Sequence, residues 1–519
     1  MRRLVASLLG LAVALAAAGS GPGAVIRGTP RNDVLRGTVG PDLILGGAGR
    51  DLVRAGPGAD RVAVQADAVR DSVVCGPGRD IVNAERSDTV ARDCEIVSRQ
   101  LTRAGFRAAG DESGAEVEPD SFAAGRTLVA AYQVGRFEDG GAAAIGFATT
   151  RDAGRSWTFG LLPRVAAPGE RGAVTDPVVA YDELHRTWLV TSLRVTRGLD
   201  ELLVSRSPDG RTWNAPVAAA ASPGEAFDKE WIVCDNWDES PFRGRCYLSY
   251  LDLVSERIAT RWSADGGATW SAPAVGPPSP ARGWQVNGAQ PVVRPDGTLV
   301  VVYVAFSNVH AERIVAVPSA DGGQTFDLPT VVASMGEAEI RGLRASPLPS
   351  VDVDRAGRIY AAWHDCQFRP ECSANDIVLT TSRDGTAWSD PRRVPAGPPT
   401  FAGFDHFIPG LAVDPATSGA QARVAIVYHS LATCGVVTCP GIDVSLITSP
   451  DGGATWTAPQ RLTAQPMQLS WLAPTGIGRM LGDYISTSYV GGRPIPVYAL
   501  ASEPSRTTLR QSIFALLRR

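Results

Sequence analysis

One motif of seven or eight residues recurs six times along the chain, and no other feature restricts the fold as much. Its first copy reads Thr150-Arg151-Asp152-Ala153-Gly154-Arg155-Ser156-Trp157. Its aspartate returns at Asp209, Asp265, Asp321, Asp384 and Asp451, followed each time by an aromatic residue: Trp213, Trp270, Phe326, Trp388 and Trp456. The residue types are those of a tight hairpin, in which Asp accepts backbone N–H groups within the turn, Gly takes a positive φ, and Ser or Thr closes the loop. Successive copies lie 57, 56, 56, 63 and 67 residues apart, which is room for a four-stranded antiparallel unit with its turns. Alternating strand-like runs precede the motif, as at 127–132, 186–191, 298–303 and 358–363, and Gly and Pro end them. A last stretch from Gly482 to Leu516 has such runs but no motif, and it is one strand short. A strand from the region before Glu118 would complete it, and a ring closed by both ends of the chain exposes no sheet edge. Seven units follow from this count, with six as the alternative.

The chain opens with Met1-Arg2-Arg3, an apolar run over 4–18 and the small residues of 16–20, the order of a secretory signal peptide, expected over 1–24. The apolar run falls short of the ~20 residues that span a bilayer, so a secreted protein without a transmembrane segment is expected. Net charge is −4 and no basic run stands out, which excludes the electrostatic footprint of a nucleic-acid partner. The basic residues are almost all arginine, with Lys229 the only lysine, a ratio that reads as coding bias. Eight cysteines fall as four close pairs, Cys75 with Cys94, Cys234 with Cys246, Cys366 with Cys372 and Cys434 with Cys439. In an exported chain these read as disulfides. The competing reading, a zinc site, lacks ligands at metal-binding spacing.

From Gly28 the sequence repeats every nine residues and places Asp33, Asp42, Asp51 and Asp60 in one phase. The clearest copy is Gly46-Gly47-Ala48-Gly49-Arg50-Asp51-Leu52-Val53, with weaker copies at Asp71 and Asp80. Glycines permit the tight turns and the carboxylates supply hard oxygen ligands. Val34, Leu43, Leu52 and Val62 are expected to fill a thin core. A glycine-rich linker that happens to hold aspartates is the plainer alternative. The pattern resembles the hemolysin-type (RTX) calcium-binding nonapeptide repeats, which implies a short parallel β-roll over 25–98, with Asp33, Asp42, Asp51 and Asp60 as ligands and structural calcium between turns.

The six hairpin motifs are similar to the Asp boxes, or BNR repeats, of the sialidase-like (neuraminidase superfamily) β-propellers. The resemblance implies an all-β propeller over 104–519, and boxes that lie away from the active site and serve the fold. It further implies a ligand site where the innermost strands begin, near Glu118, Asp120, Asp176, Asp228, Lys229, Glu230, Gln290, Asp405, His406, Asp483 and Tyr484. The stretch from Asp483 to Tyr498 is similar to the one that carries the sialidase nucleophile, which would make Tyr484 the nucleophile, with Glu230 and Asp228 as supporting carboxylates. The family's arginine triad, whose guanidinium forks match a carboxylate bidentately, has no matching motif; Arg282, Arg344 and Arg479 precede later units and could reach the channel, but match none. The strand expected to open with it reads Val117-Glu118-Pro119-Asp120. Two functions are therefore expected: an exo-glycosidase of exo-α-sialidase type acting on glycans, or a non-catalytic propeller that binds carbohydrate or protein at the cell surface.

Overall fold

The computed structural model describes residues 21–517 except 65–66, 104, 112, 167–171, 197–198, 222–225, 278–283, 308–311, 398–402 and 433–440. Most of the expected signal peptide, and the Cys434–Cys439 pair, lie outside the described residues. The other three cysteine pairs are disulfides, Cys75–Cys94, Cys234–Cys246 and Cys366–Cys372. Among the described residues regular structure is β apart from three short 3-10 turns, and no helix is long and apolar enough to cross a membrane.

The nine-residue period becomes a parallel solenoid. Strands Val25–Arg27, Leu43–Leu45, Arg61–Val64, Ile81–Ala84 and Ile96–Gln100 stack in one sheet, and Val34–Arg36, Leu52–Arg54, Ser72–Val74 and Thr89–Val90 in the other. Leu43 pairs with Arg61, so two nonapeptides make one coil. Side chains alternate across a strand, and the middle residue of each three-residue strand points inward. The buried row is Leu35, Ile44, Val53, Val62, Val73 and Val82. The expected core was one residue out of phase for three of its four members: Val34 is 60% exposed, and Leu43 and Leu52 are only half-buried. The Cys75–Cys94 bridge closes the last coils.

The body consists of antiparallel units of four strands, of which the first two are joined in one eight-stranded sheet and the next four stand as separate sheets. The innermost strands of the first six are Glu116–Ala124, Ala173–Asp182, Phe227–Cys234, Gln285–Val293, Ser350–Val353 and Phe404–Val413. The last unit comprises Ser486–Val490, Arg493–Ser502 and Arg510–Leu516, and Ile96–Gln100 is its fourth strand, antiparallel to Arg510–Leu516. Each innermost strand neighbours the next, and Ser486–Val490 neighbours Glu116–Ala124, so the circle closes. The Ile96–Gln100 strand thus belongs both to the solenoid and to the ring. Asn83 joins the two again, donating to the Leu462 carbonyl at 2.8 Å and accepting from the Ala464 amide at 2.6 Å.

The repeated motif performs the turn chemistry its residues suggest. In the third copy Asp265 Oδ1 accepts the Ala268 and Thr269 amides, both at 2.9 Å, and Oδ2 accepts the Thr269 hydroxyl at 2.6 Å. Gly267 sits at φ 79°, as the turn requires. Although partial burial opposes it, these hydrogen bonds hold the Asp265 carboxyl down to about 2. The motif's aromatic residues seal the gaps between units, as where Trp213 of the second unit meets Phe147 of the first at 5.8 Å.

Candidate functional site

Five of the innermost strands break register at the same place, between Val117 and Asp120, Thr175 and Val178, Asp228 and Trp231, Asn287 and Gln290, and Phe407 and Gly410. Each bulge places one residue at positive φ: Glu118 at 52°, Asp176 at 51°, Lys229 at 49°, Gly288 at 68° and Ile408 at 49°. For residues other than glycine this backbone costs about 1–3 kcal/mol, and such strain gathers at ligand sites. Three of the five positions carry charge, and those three side chains meet.

Lys229 Nζ lies 2.6 Å from Asp176 Oδ1, 2.8 Å from Asp483 Oδ2 and 3.2 Å from Glu118 Oε1. Arg344 grips Asp483 with both ends of its fork, Nε donating to Oδ1 at 2.8 Å and the second nitrogen to Oδ2. Gln133 donates to the other oxygen of Glu118 and to Thr175 Oγ1 at 2.8 Å. Burial alone would neutralise Lys229, but Asp176, Asp483 and Glu118 outweigh it and hold the ammonium charged well above its ordinary range. Burial likewise opposes ionisation of Asp483, and Lys229 with Arg344 overcomes it, keeping that carboxyl ionised. Glu118 is pushed up to about 7, because desolvation exceeds the attraction of Lys229. Two neighbouring carboxyls therefore have opposite protonation tendencies, the pattern that separates an acid from a base.

Tyr484 covers one side of this cage. Lys229 Nζ lies 5.2 Å from the centre of its ring, and Trp231 packs edge-on at 5.2 Å. Its hydroxyl donates to the Pro177 carbonyl at 3.1 Å. Burial and the surrounding carboxylates, Glu118 first, push the phenol well above its ordinary range. Glu230 is fully buried, with neither carboxylate oxygen hydrogen-bonded, and burial followed by Asp176 raises it strongly. Asp228 accepts from Asn287 Nδ2 at 3.0 Å. A cavity of about 450 Å³ borders the cage, lined by Lys229, Trp231, Asp483 and Tyr484 and by Asp120, Gln290 and Asp352. Deeper polar groups serve neighbouring strands: Asp120, Gln290 and Asp352 accept the amides of Val179, Val351 and Val413 at 2.7–2.8 Å.

The structure thus brings together Glu118, Asp176, Lys229, Glu230, Asp483 and Tyr484. It leaves Asp405 and His406 apart from this cage, and neither they nor Glu118, Asp176, Asp228 and Glu230 line the cavity. Asp405 accepts from the Asn375 amide at 2.9 Å, and His406 Nδ1 lies 3.7 Å from Asp376. Of the arginines ahead of later units, Arg344 reaches the cage, whereas Gln133 had no local signal, since nothing in its own segment points to partners on distant strands. Lys229 had one: it is the only lysine among 50 basic residues.

Residues 126–335 match the BNR repeat-like domain, and residues 27–62 match the RTX calcium-binding nonapeptide repeat in four copies. No curated protein matches the chain. Among solved structures, the ring is similar to a Hadza microbial sialidase (15% identity over 81% of this chain and 68% of that one, TM-score 0.41). It is also similar to the α-L-arabinanase of Penicillium chrysogenum (14%, 66% and 94%, TM-score 0.43) and to an ulvan lyase (12%, 78% and 95%, TM-score 0.45).

The RTX segment presents two carboxylate ladders. The amides of Asp33, Asp51 and Asp71 donate to Asp51, Asp71 and Asp88 one coil on, at 2.7–3.0 Å. Those of Asp42, Asp60 and Asp80 donate to Asp60, Asp80 and Glu95 at 2.8–2.9 Å. The second oxygens of Asp51, Asp60 and Asp80 are buried without a hydrogen-bond partner, whereas Asp33 and Asp42 turn one oxygen onto the Thr29 and Thr38 amides. Spare buried oxygens of this kind fit a hard cation such as calcium. No group of three His, Cys, Asp or Glu side chains gathers around one point among the described residues, so backbone carbonyls would complete any coordination shell.

Proposed function

We propose that this is a secreted, glycan-directed protein: a signal peptide over 1–24, a roll over 25–98 braced by structural calcium at Asp33, Asp42, Asp51 and Asp60, and a seven-bladed sialidase-like propeller over 104–519. The observation that carries the reading is the meeting of Lys229 and Asp483 with the rings of Trp231 and Tyr484 at a cavity of sugar dimensions, with Glu118 and Asp176 holding Lys229 from behind. Sugars are held by aromatic faces and by charged groups that bond hydroxyls, and cavities with convergent polar groups are the usual ligand sites. The ligand is a glycan, free or displayed at a cell surface.

In the hydrolytic form of this reading the protein is an exo-glycosidase, with Tyr484 as nucleophile, Glu230 and Asp228 in support, and the unequal Glu118 and Asp483 carboxyls moving the proton. A non-catalytic form is favoured by the engagement of the Tyr484 hydroxyl with Pro177, which leaves it no base. Fluorogenic glycosides, an α-sialoside included, tested in calcium with wild type and Tyr484→Phe separate the two. Turnover lost in the variant supports hydrolysis. Glycan binding without turnover by either protein supports the binding form, and neither binding nor turnover refutes the glycan reading.

A further inference from the structure

Lysine is absent from the chain except at Lys229, while 49 of the 50 basic residues are arginine. That lysine occupies the one place described above where an ammonium fits and a guanidinium does not. Its three N–H donors meet three carboxylates from three separate segments, at 2.6, 2.8 and 3.2 Å, which saturates it. A planar fork aims its donors in one plane and would leave such a cage partly unmet.

The second cation is equally committed, for Arg344 spends both ends of its fork on Asp483. Arg136, buried nearby, donates to Met480 Sδ at 3.2 Å and to the Gly141 carbonyl at 2.7 Å. Lys229 is the only cation among the described residues that line the cavity. A ligand carboxylate would find no free cationic donor there, and it would face acidic side chains of the lining, Asp483, Asp120 and Asp352.

We propose that Lys229 is a tethered cation that occupies the position an acidic sugar's partner would need, and so confines the site to uncharged glycans. The inference rests on the glycan reading for the class of ligand and goes beyond it in excluding sialic and uronic acids. Neutral hydroxyls meet no such repulsion, and the Trp231 and Tyr484 rings offer apolar faces.

The test is calorimetric titration of the full chain in calcium with neutral oligosaccharides and with sialylated or uronate-containing counterparts. Neutral ligands are expected to bind at least about a hundredfold tighter, the Boltzmann factor of one like-charge contact near a protein surface. Equal or tighter binding of the acidic series overturns this inference and leaves the glycan reading standing, whereas binding of neither series overturns both. The cage itself is read without a ligand, because Lys229 is the only ε-amine. Reductive methylation followed by peptide mapping should leave it unmodified in the native protein and modify it fully after denaturation. Prompt methylation of the native protein would overturn the cage. In the double variant Glu118→Gln/Asp176→Asn, with two acceptors neutralised, acidic glycans should gain at least about tenfold in affinity, and no gain counts against the proposal.

Discussion

Replacing Lys229 with methionine keeps the length and apolar stem of the side chain and removes only its charge. The Lys229 side chain is 9% exposed and its three acidic partners are 1–4% exposed, so solvent can do little to screen what remains. Removing one partner of a buried ion pair costs about 3–5 kcal/mol, because the other is left uncompensated. The penalty is capped by proton uptake. A carboxylate with an ordinary pKa near 4 is neutralised for roughly 5 kcal/mol at about pH 7.5, but for only about 1.4 kcal/mol at about pH 5. In the variant the folded-state pKa of Asp483 rises above its unfolded value, and those of Glu118 and Asp176, already raised by burial, rise further. The destabilisation is therefore absent below the unfolded pKa and grows as pH rises through the folded one. Differential scanning calorimetry of both proteins in calcium should show Tm of the variant several degrees lower at about pH 7.5, with most of the gap closed at about pH 5. An unchanged Tm at the higher pH, or a gap that persists at the lower one, would refute the cage as buried acidic groups held by one cation.

Chelating calcium should accelerate amide exchange through the solenoid and across Phe514, Ala515 and Leu516, which pair with the Ile96–Gln100 strand, while the Leu299–Phe306 strand stays protected in mass-spectrometric exchange. His429 is wholly buried, with both ring nitrogens unpartnered among the described residues and its pKa pushed down by burial to about 3. It therefore removes stability as pH falls from its unfolded value near 6.5 toward about 3. His429→Phe, placed against Phe407 where the imidazole stacks at 5.4 Å, should flatten the fall of Tm over that window. Asp265→Ala should cost about 1–2 kcal/mol through lost turn hydrogen bonds, lowering Tm without changing glycan affinity in calorimetry.

What the sequence disclosed follows the range over which each interaction acts. The hairpin motifs were legible in full because Asp265 bonds partners only three and four residues away. The solenoid was legible in period but misread in phase, since Val34-Leu35, Leu43-Ile44 and Leu52-Val53 are apolar pairs and only the strand geometry says which member faces in. The strand needed before Glu118 could be expected, but not assigned to Ile96–Gln100, whose sequence serves two partners. The candidate site was half-visible. Glu118, Asp176, Lys229 and Asp483 could be placed at strand starts, yet their convergence depends on segments up to 365 positions apart. The lone lysine could be placed at a strand start with the other candidates, but its being alone among arginines reads as coding bias until its three partners are seen.

The strand shared by solenoid and ring also orders the making of the molecule. Gln100 pairs with Phe514, so about four-fifths of the polypeptide is synthesised between the two halves of that ladder. A chain that leaves the ribosome from its N-terminus completes the solenoid first, and this preformed edge then waits as a template for the final strand. Assembly of the ring thus ends where it began, and a nascent chain whose first hundred residues have not folded has no surface on which to finish.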